Sequence, residues 1–206
     1  MYGMIFDFMR DYVIEKHGGK ATWSMLLEQT GQSPYKIYFP VKDYPDAEIV
    51  ALAVKASEAL KLPLEAVLED FGKFTGHRLV TFYYMYIKNE KFRTLDIIES
   101  AGTYIHDALH RHNPLRKPPV ISAERISADE ITLHYTSQRR LCHVVRGIVA
   151  GVAEHFGEEF KLNETQCMHQ GAATCRFQVK RESVVVPFGI AAAQKNVQRT
   201  ASVVAG

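Results

Sequence analysis

The sequence predicts an α+β fold in which a helical N-terminal subdomain packs on a C-terminal subdomain of antiparallel sheet plus helices. Three observations carry that expectation. Apolar residues recur at helical spacing through the first half, as at Ile49, Leu52, Ala53, Ala56 and Leu60. Alternation takes over late in the chain, where Arg176, Gln178 and Lys180 interleave with Phe177 and Val179. Between the two halves, Asn113-Pro114 and Pro118-Pro119 punctuate the change.

Residues 2–17 place Ile5, Met9 and Val13 on one stripe with Phe6 beside it, and Gly18-Gly19 ends that helix. Thr22 is placed to cap a short helix through Leu27, and the stretch from Tyr35 to Val41 reads as extended. An amphipathic helix from Asp46 to Leu60 is broken by Leu62-Pro63. A second apolar-rich run covers Leu64 to Ile87, and another helix starts at Thr94 and runs to His110. Glu130 to Tyr135 reads as a strand, Arg140 to Phe156 as a helix and Thr174 to Lys180 as a strand. Residues 1–180 are expected to form one domain, with 1–60 and 61–180 as its parts. The Val-, Ala- and Gln-rich residues 181–206 read as a tail or linker.

Bulk composition narrows the function classes. Of 206 residues, 47% are hydrophobic and 23% charged, which is ordinary globular usage. A net charge of +2 without a dense Lys/Arg run argues against a nucleic-acid partner. No apolar stretch is long enough to span a bilayer, and Asp7, Arg10, Asp11 and Glu15 interrupt the N-terminal segment that would mimic a signal peptide. Three cysteines, an odd number, favour a reducing compartment, so a cytoplasmic location is expected. No nucleophile–base pair or phosphate-binding Gly loop is recognisable, so the expectation is not an enzyme.

Two constellations bear chemistry. If Tyr135-Thr-Ser137-Gln-Arg139 is extended, the hydroxyls of Tyr135 and Ser137 and the guanidinium of Arg139 share one face. Such a set suits a carboxylate or phosphate partner, although a polar strand face meeting solvent explains the same spacing. His106 sits among Tyr104, Ile105 and Leu109, and a neutral imidazole is a good axial ligand for iron. Periodicity alone does not choose among His106, His110 and His112.

These residues carry a family resemblance. Met1-Tyr2-Gly3 opening a helix that ends at His17-Gly18, then Phe71-Gly72-Lys73, then His106 followed eight residues later by Pro114, and finally Tyr135-x-Ser137-x-Arg139 before a helix with Gly147 together resemble the haem–nitric oxide/oxygen binding (H-NOX) family. That family includes the sensor domain of soluble guanylate cyclase. The resemblance implies a haem b held between the two subdomains, with His106 as the iron ligand. It implies Tyr135, Ser137 and Arg139 as the propionate clamp, Pro118 or Pro119 against the porphyrin, and Ile5 on the distal side. The stretch from Thr75 to Tyr104 departs from the usual family sequence.

Oxygen-holding members place a tyrosine five residues after the motif's Arg, and here that position is Val144. The resemblance therefore implies a nitric oxide sensor that also binds CO and signals through breakage of the His106–iron bond. An oxygen sensor using Tyr83, Tyr84 or Tyr86 is the alternative; these three also suit aromatic packing. A histidine kinase or cyclic-di-GMP enzyme is the implied partner. Some members carry zinc on cysteines spaced like Cys142, Cys167 and Cys175, with a histidine where this chain has Glu164. Glu164, His169 or His143 would then be the fourth ligand. Plain thiols, or a Cys167–Cys175 disulfide, fit the same residues. The segment from Gly157 to Val179 also resembles 4-vinyl reductase-type domains, which would make the chain a haem-free small-molecule or tetrapyrrole-binding module.

Overall fold

The computed structural model describes residues 1–87, 91–101 and 119–184, with side chains described for all of these except 82–87 and 183–184. Helix α1 (Gly3–Lys16) buries Phe6, Met9, Tyr12 and Val13, the inner stripe that the spacing of apolar residues dictates. Gly18 and Gly19 follow with φ of 92° and 78°, a left-handed backbone that glycine adopts without steric cost. They turn the chain so sharply that α2 (Gly19–Gln29) begins at once. Thr22 therefore lies inside α2 and is not its cap, which corrects the expectation from sequence.

Helix α3 (Asp46–Leu60) occupies the expected span and buries Ile49, Leu52, Ala53 and Ala56. With α1, α2 and the first turns of α4 (Leu64–Ile87) it encloses the N-terminal core, in which Phe6, Leu26, Leu27, Leu52 and Val67 are all within 1% of complete burial. Between α2 and α3 the extended segment crosses the surface, with Tyr38 stacked on Phe6 at 4.2 Å between ring centroids.

The C-terminal half is a four-stranded antiparallel sheet in the order β1-β2-β4-β3, covered by α5 (Thr94–Ser100) and α6 (Cys142–His155). Strands β2 (Glu130–Thr136) and β4 (Cys175–Val184) are central. Ile131, Leu133 and Tyr135 point inward from β2, opposite Val179, Phe177 and Cys175. The alternation read for β4 holds, but the strand continues to Val184, beyond the boundary at residue 180. Arg181 N donates to Asp129 O at 2.7 Å and draws these residues into the sheet.

Strands β1 (Val120–Ser127) and β3 (Glu158–Gln166) lie at the two edges, and the sequence reading contained neither. An edge strand tolerates polar residues on both faces, so Glu-Glu-Phe-Lys-Leu-Asn-Glu-Thr-Gln shows little of the apolar pattern that marks a central strand. No described helix is long and apolar enough to cross a membrane.

The halves meet where α4 crosses α6. Gly72 and Gly76 on α4 face Gly147 and Gly151 on α6, each pair four residues apart and so on one helical face. A Cβ on Gly147 would lie 1.9 Å from Glu69 O, and one on Gly151 would lie 2.0 Å from Lys73 O. The two backbones are therefore closer than any side chain permits.

Candidate functional site

Between the halves lies a cavity of about 970 Å³, at the upper end of the range for small-molecule and cofactor sites. Helix α4 lines it with Leu64, Leu68, Phe71, Thr75 and Leu79, and α6 with Val144, Val145, Ile148, Val149 and Val152. Ile5 and Met9 enter from α1, Ile97 and Ile98 from α5, and Pro119, Ile121 and Leu133 from the sheet side. Most of this lining is apolar because the helices and strands turn their core faces towards one another without meeting in the middle.

Tyr135, Ser137 and Arg139 all border the cavity, but not as three residues of one strand face. Strand β2 stops at Thr136, and 137–140 form a turn that ends at Arg140 with φ 51°. Arg140 N donates to Ser137 O at 3.1 Å, so the turn, not β-alternation, brings the trio together. Tyr135 is 3% exposed, and its Oη accepts from Leu141 N at 3.2 Å. Burial is the leading reason its phenol is pushed above the ordinary range.

Arg139 reaches across to α3, where its Nε lies 2.8 Å from Asp46 Oδ2. Asp46 also takes the Met1 ammonium at 2.7 Å. Burial opposes charge on this carboxylate, but hydrogen bonds from the N-terminal amine and Arg139 outweigh it and hold the pKa below the usual range. Asp46 borders the cavity beside Asp43 and Tyr44, and sequence reasoning missed all three. Its only signal was an acid in a first helical turn, which does not name a partner. His143 and His169 complete this corner, with ring centroids 5.9 Å apart and His169 Nε2 2.8 Å from Arg140 O.

Behind the corner lie the three cysteines, all buried free thiols. Cys142 Sγ is 3.8 Å from Cys167 Sγ, and Met168 N donates to Cys175 Sγ at 3.2 Å. Ligand atoms of Cys142, Cys167, Cys175 and Glu164 all lie within 4.8 Å of one another, and Glu164 Oε1 is buried without a hydrogen-bond partner. A second grouping joins Cys142 to His143 and His169 at the same spacing. Burial raises the Cys142 thiol well above its ordinary pKa, and the neighbouring Cys175 and Cys167 add to the effect. Ile5, Val144 and Pro119 border the cavity. His106 and Pro118 lie outside the described residues, as do the side chains of Tyr83, Tyr84 and Tyr86.

The comparisons with known proteins bear directly on this cavity. The family described as "Haem-NO-binding" matches residues 2–164. This chain belongs to that family. Over 163 residues it is 28% identical to the soluble guanylate cyclase gcy-32 of Caenorhabditis elegans, matching 75% of this chain and 23% of the relative. The soluble guanylate cyclase gcy-34 of the same organism is 26% identical over 162 residues, again with 23% of its length matched. The match thus spans less than a quarter of these relatives. Among solved structures, an H-NOX protein from S. oneidensis in the Fe(II)NO ligation state superposes with a TM-score of 0.79 at 26% identity, covering 89% of this chain and 100% of that one. An oxygen-binding H-NOX domain related to soluble guanylate cyclases shares the fold with a TM-score of 0.75 at 19% identity, over 91% of this chain and 98% of that one.

The residues present fit a haem. A flat, largely apolar ring with two carboxylates needs an apolar slot with cations at one corner, and this cavity provides both in a volume of about 970 Å³.

Proposed function

We propose that this chain is a haem-based gas sensor, not an enzyme, that binds nitric oxide and CO at ferrous haem b. The observation that carries this reading is the largely apolar cavity bordered by Tyr135, Ser137 and Arg139. A bound haem would supply a ferrous iron able to take a diatomic ligand. His106 is the residue proposed to hold that iron, by resemblance to the family.

The remaining work falls to the chain. Arg139 offers a planar fork to a propionate, and the hydroxyls of Tyr135 and Ser137 satisfy acceptor oxygens that burial would otherwise leave unpaired. Pro118 and Pro119 are proposed to press on the ring. Ile5 and Val144 border the cavity and are proposed to line the gas side, with Val144 at the position of the family's phenol donor, which favours nitric oxide over oxygen. The segment that carries His106 would pass the state of the site to a partner protein, proposed to be of the histidine kinase or cyclic-di-GMP enzyme type.

Absorption spectra of the haem-loaded chain test the reading. We expect ferrous NO and CO complexes and no stable oxygen complex in air; a persistent oxygen spectrum overturns the nitric oxide preference. His106→Gly is expected to fold yet lose haem unless imidazole is supplied, and normal haem content in that variant removes the ligand assignment.

The thiol cluster supports a second function within the same domain, a closed zinc site formed by Cys142, Cys167, Cys175 and Glu164. The buried, unpartnered Glu164 Oε1 favours Glu164 over His169 or His143 as fourth ligand. Metal analysis of chain purified without chelator is expected to find about one zinc per chain, the stoichiometry of a single closed site. Absence of zinc leaves the thiols as a redox pair or as simple core residues.

A further inference from the structure

The segment between α2 and α3 points a row of apolar side chains at solvent. Burial alternates along it, and its outward residues are Tyr35 (86% exposed), Ile37 (66%), Phe39 (52%) and Val41 (70%). Between them Tyr38 is buried against Phe6. Apolar residues scattered singly over a surface need no explanation, but a contiguous strip marks an interaction site. The backbone N–H and C=O groups of Ile37 and Tyr38 make no hydrogen bond among the described residues, so the segment is also an open strand edge.

The cations beside the strip are already engaged. Lys36 Nζ lies 2.6 Å from Glu48 Oε2, and Lys42 Nζ sits 4.9 Å from the centroid of the Phe39 ring. A lipid surface would need a free basic cluster to reinforce one apolar strip, so these contacts favour a protein partner. The spacing says which one. A twofold axis at Tyr38 runs a second copy antiparallel, so that Ile37 faces the partner's Phe39 and Tyr35 faces the partner's Val41. Both are pairs of an aromatic with a β-branched side chain, a favourable cross-strand combination. Lys36 and Lys42 then fall opposite the partner's Pro40 and Pro34.

Other registers fail. An axis at Phe39 sets Lys36 against the partner's Lys42 and Tyr35 against the partner's Asp43, and an axis at Ile37 leaves Val41 opposite the partner's Ser33. An axis between two residues would set outward side chains against inward ones. With side-chain areas of about 150–250 Å² for the aromatics, the strip offers on the order of 500 Å² of apolar surface per chain. A stable interface buries roughly 800 Å² per partner, with an apolar centre and a polar rim. The strip supplies that centre, and the flanking Lys, Pro and Asp residues supply the rim.

We propose that two copies of this chain associate reversibly through residues 35–41, antiparallel and centred on Tyr38. None of these residues lines the cavity, so the association is independent of what the cavity holds.

Sedimentation of the full chain under reducing conditions, over about 1–200 μM, tests the proposal, because interfaces of standard size dissociate at micromolar levels or below. A dimer in equilibrium with monomer is expected. The axis brings every residue in twice, so Ile37→Asp is expected to weaken the dimer by about 30-fold or more, the size of a lost hot spot. Thermal unfolding of the monomer should not change, since the side chain is exposed. Tyr35→Lys and Val41→Asp fix the register. Each alone is expected to dissociate, whereas a mixture of the two should dimerise, because the introduced ammonium of one chain faces the introduced carboxylate of the other. A native chain that is monomeric throughout the range overturns the proposal, and binding of that monomer to vesicles of anionic lipid would assign the strip to a membrane surface instead. A dimer that survives Ile37→Asp, or single variants that stay monomeric when mixed, overturns it as well.

Discussion

Two contacts join the helical half to the sheet half, and they are built in opposite ways. Where α4 crosses α6, the glycines bring backbone against backbone, so that no side chain lies between the two helices at the crossing itself. At the polar corner, Arg139 in the turn after β2 reaches Asp46 on α3 through one ion pair at 2.8 Å, with Asp46 still 44% exposed. The first contact holds a fixed distance because any added atom overlaps a neighbour. The second can exchange its partner, since a carboxylate brought into the cavity competes with Asp46 for the same guanidinium. Rigidity lies along the seam and adjustability lies at the ligand, which is the arrangement a binding site between two layers requires.

Breaking the seam should have the largest effect. Gly147→Ala sets a methyl 1.9 Å from Glu69 O, a backbone atom that cannot swing aside. We expect a loss of about 3 kcal/mol or more, the upper range for overpacking, read as a lowered urea midpoint or insoluble protein. A fully stable Gly147→Ala variant would show that the two helices separate easily.

At the corner, the same size of change should spare the fold and strike the ligand. Arg139→Ala removes a partly exposed ion pair, worth less than about 1 kcal/mol to the haem-free chain. A propionate left without its charged partner costs more, roughly 3–5 kcal/mol for a broken buried pair, so haem retention against a competing apoprotein should fall sharply. Tyr135→Phe and Ser137→Ala should be milder. Equal retention in all three would mean that the corner binds something else.

Asp46→Asn sharpens the contrast. It frees Arg139 from its competitor, so retention should be unchanged or somewhat higher. A marked loss instead would show that Asp46 positions Arg139 and does not compete with the ligand.

Acid should produce the smallest effect and order the two contacts. His155, at the end of α6, has its pKa lowered from 6.5 by burial and then by His77. Glu154 is held below its ordinary value first by the hydrogen bond from His77, then by Lys73. For His155 the unfolded chain binds the proton more readily, so stability declines as pH falls below about 6.5. Glu154 and Asp46 have depressed folded pKa values, so their contributions persist above the ordinary carboxylate range and vanish as pH falls through the folded values. Denaturant titrations should therefore show a first small loss from the His155 edge of the seam and a later one from the carboxylates. The first should be less than about 1 kcal/mol, because these groups meet solvent and are screened.

Local pattern carried much of the fold into view. The spans of α3 and α4, the start of α5 and the alternation of β4 were legible because each buries one face against a core, and burial imposes a period. The edge strands β1 and β3 were not, since a strand with one neighbour carries little of that signature. At the site, residue types grouped Tyr135, Ser137 and Arg139 as a set suited to a carboxylate or phosphate beside the reading of a polar strand face meeting solvent, and resemblance chose the first and added Ile5 and Val144.

What joins these residues was beyond the sequence. Arg139 meets Asp46 across 93 positions of chain only because a turn at 137–140 replaces the expected strand. Thr75 reads as an ordinary helical threonine until its neighbours are in place and its hydroxyl is seen to lack a partner. The four glycines of the α4–α6 seam are two unremarkable pairs until the helices cross. Which faces are apolar, which residue types suit an anion and which family the motifs resemble could be read along the chain, because those depend on side-chain chemistry and local period. Which polar groups are satisfied and which compete came from the packed fold alone, because burial and partnership are properties of distance between segments that are remote in the chain.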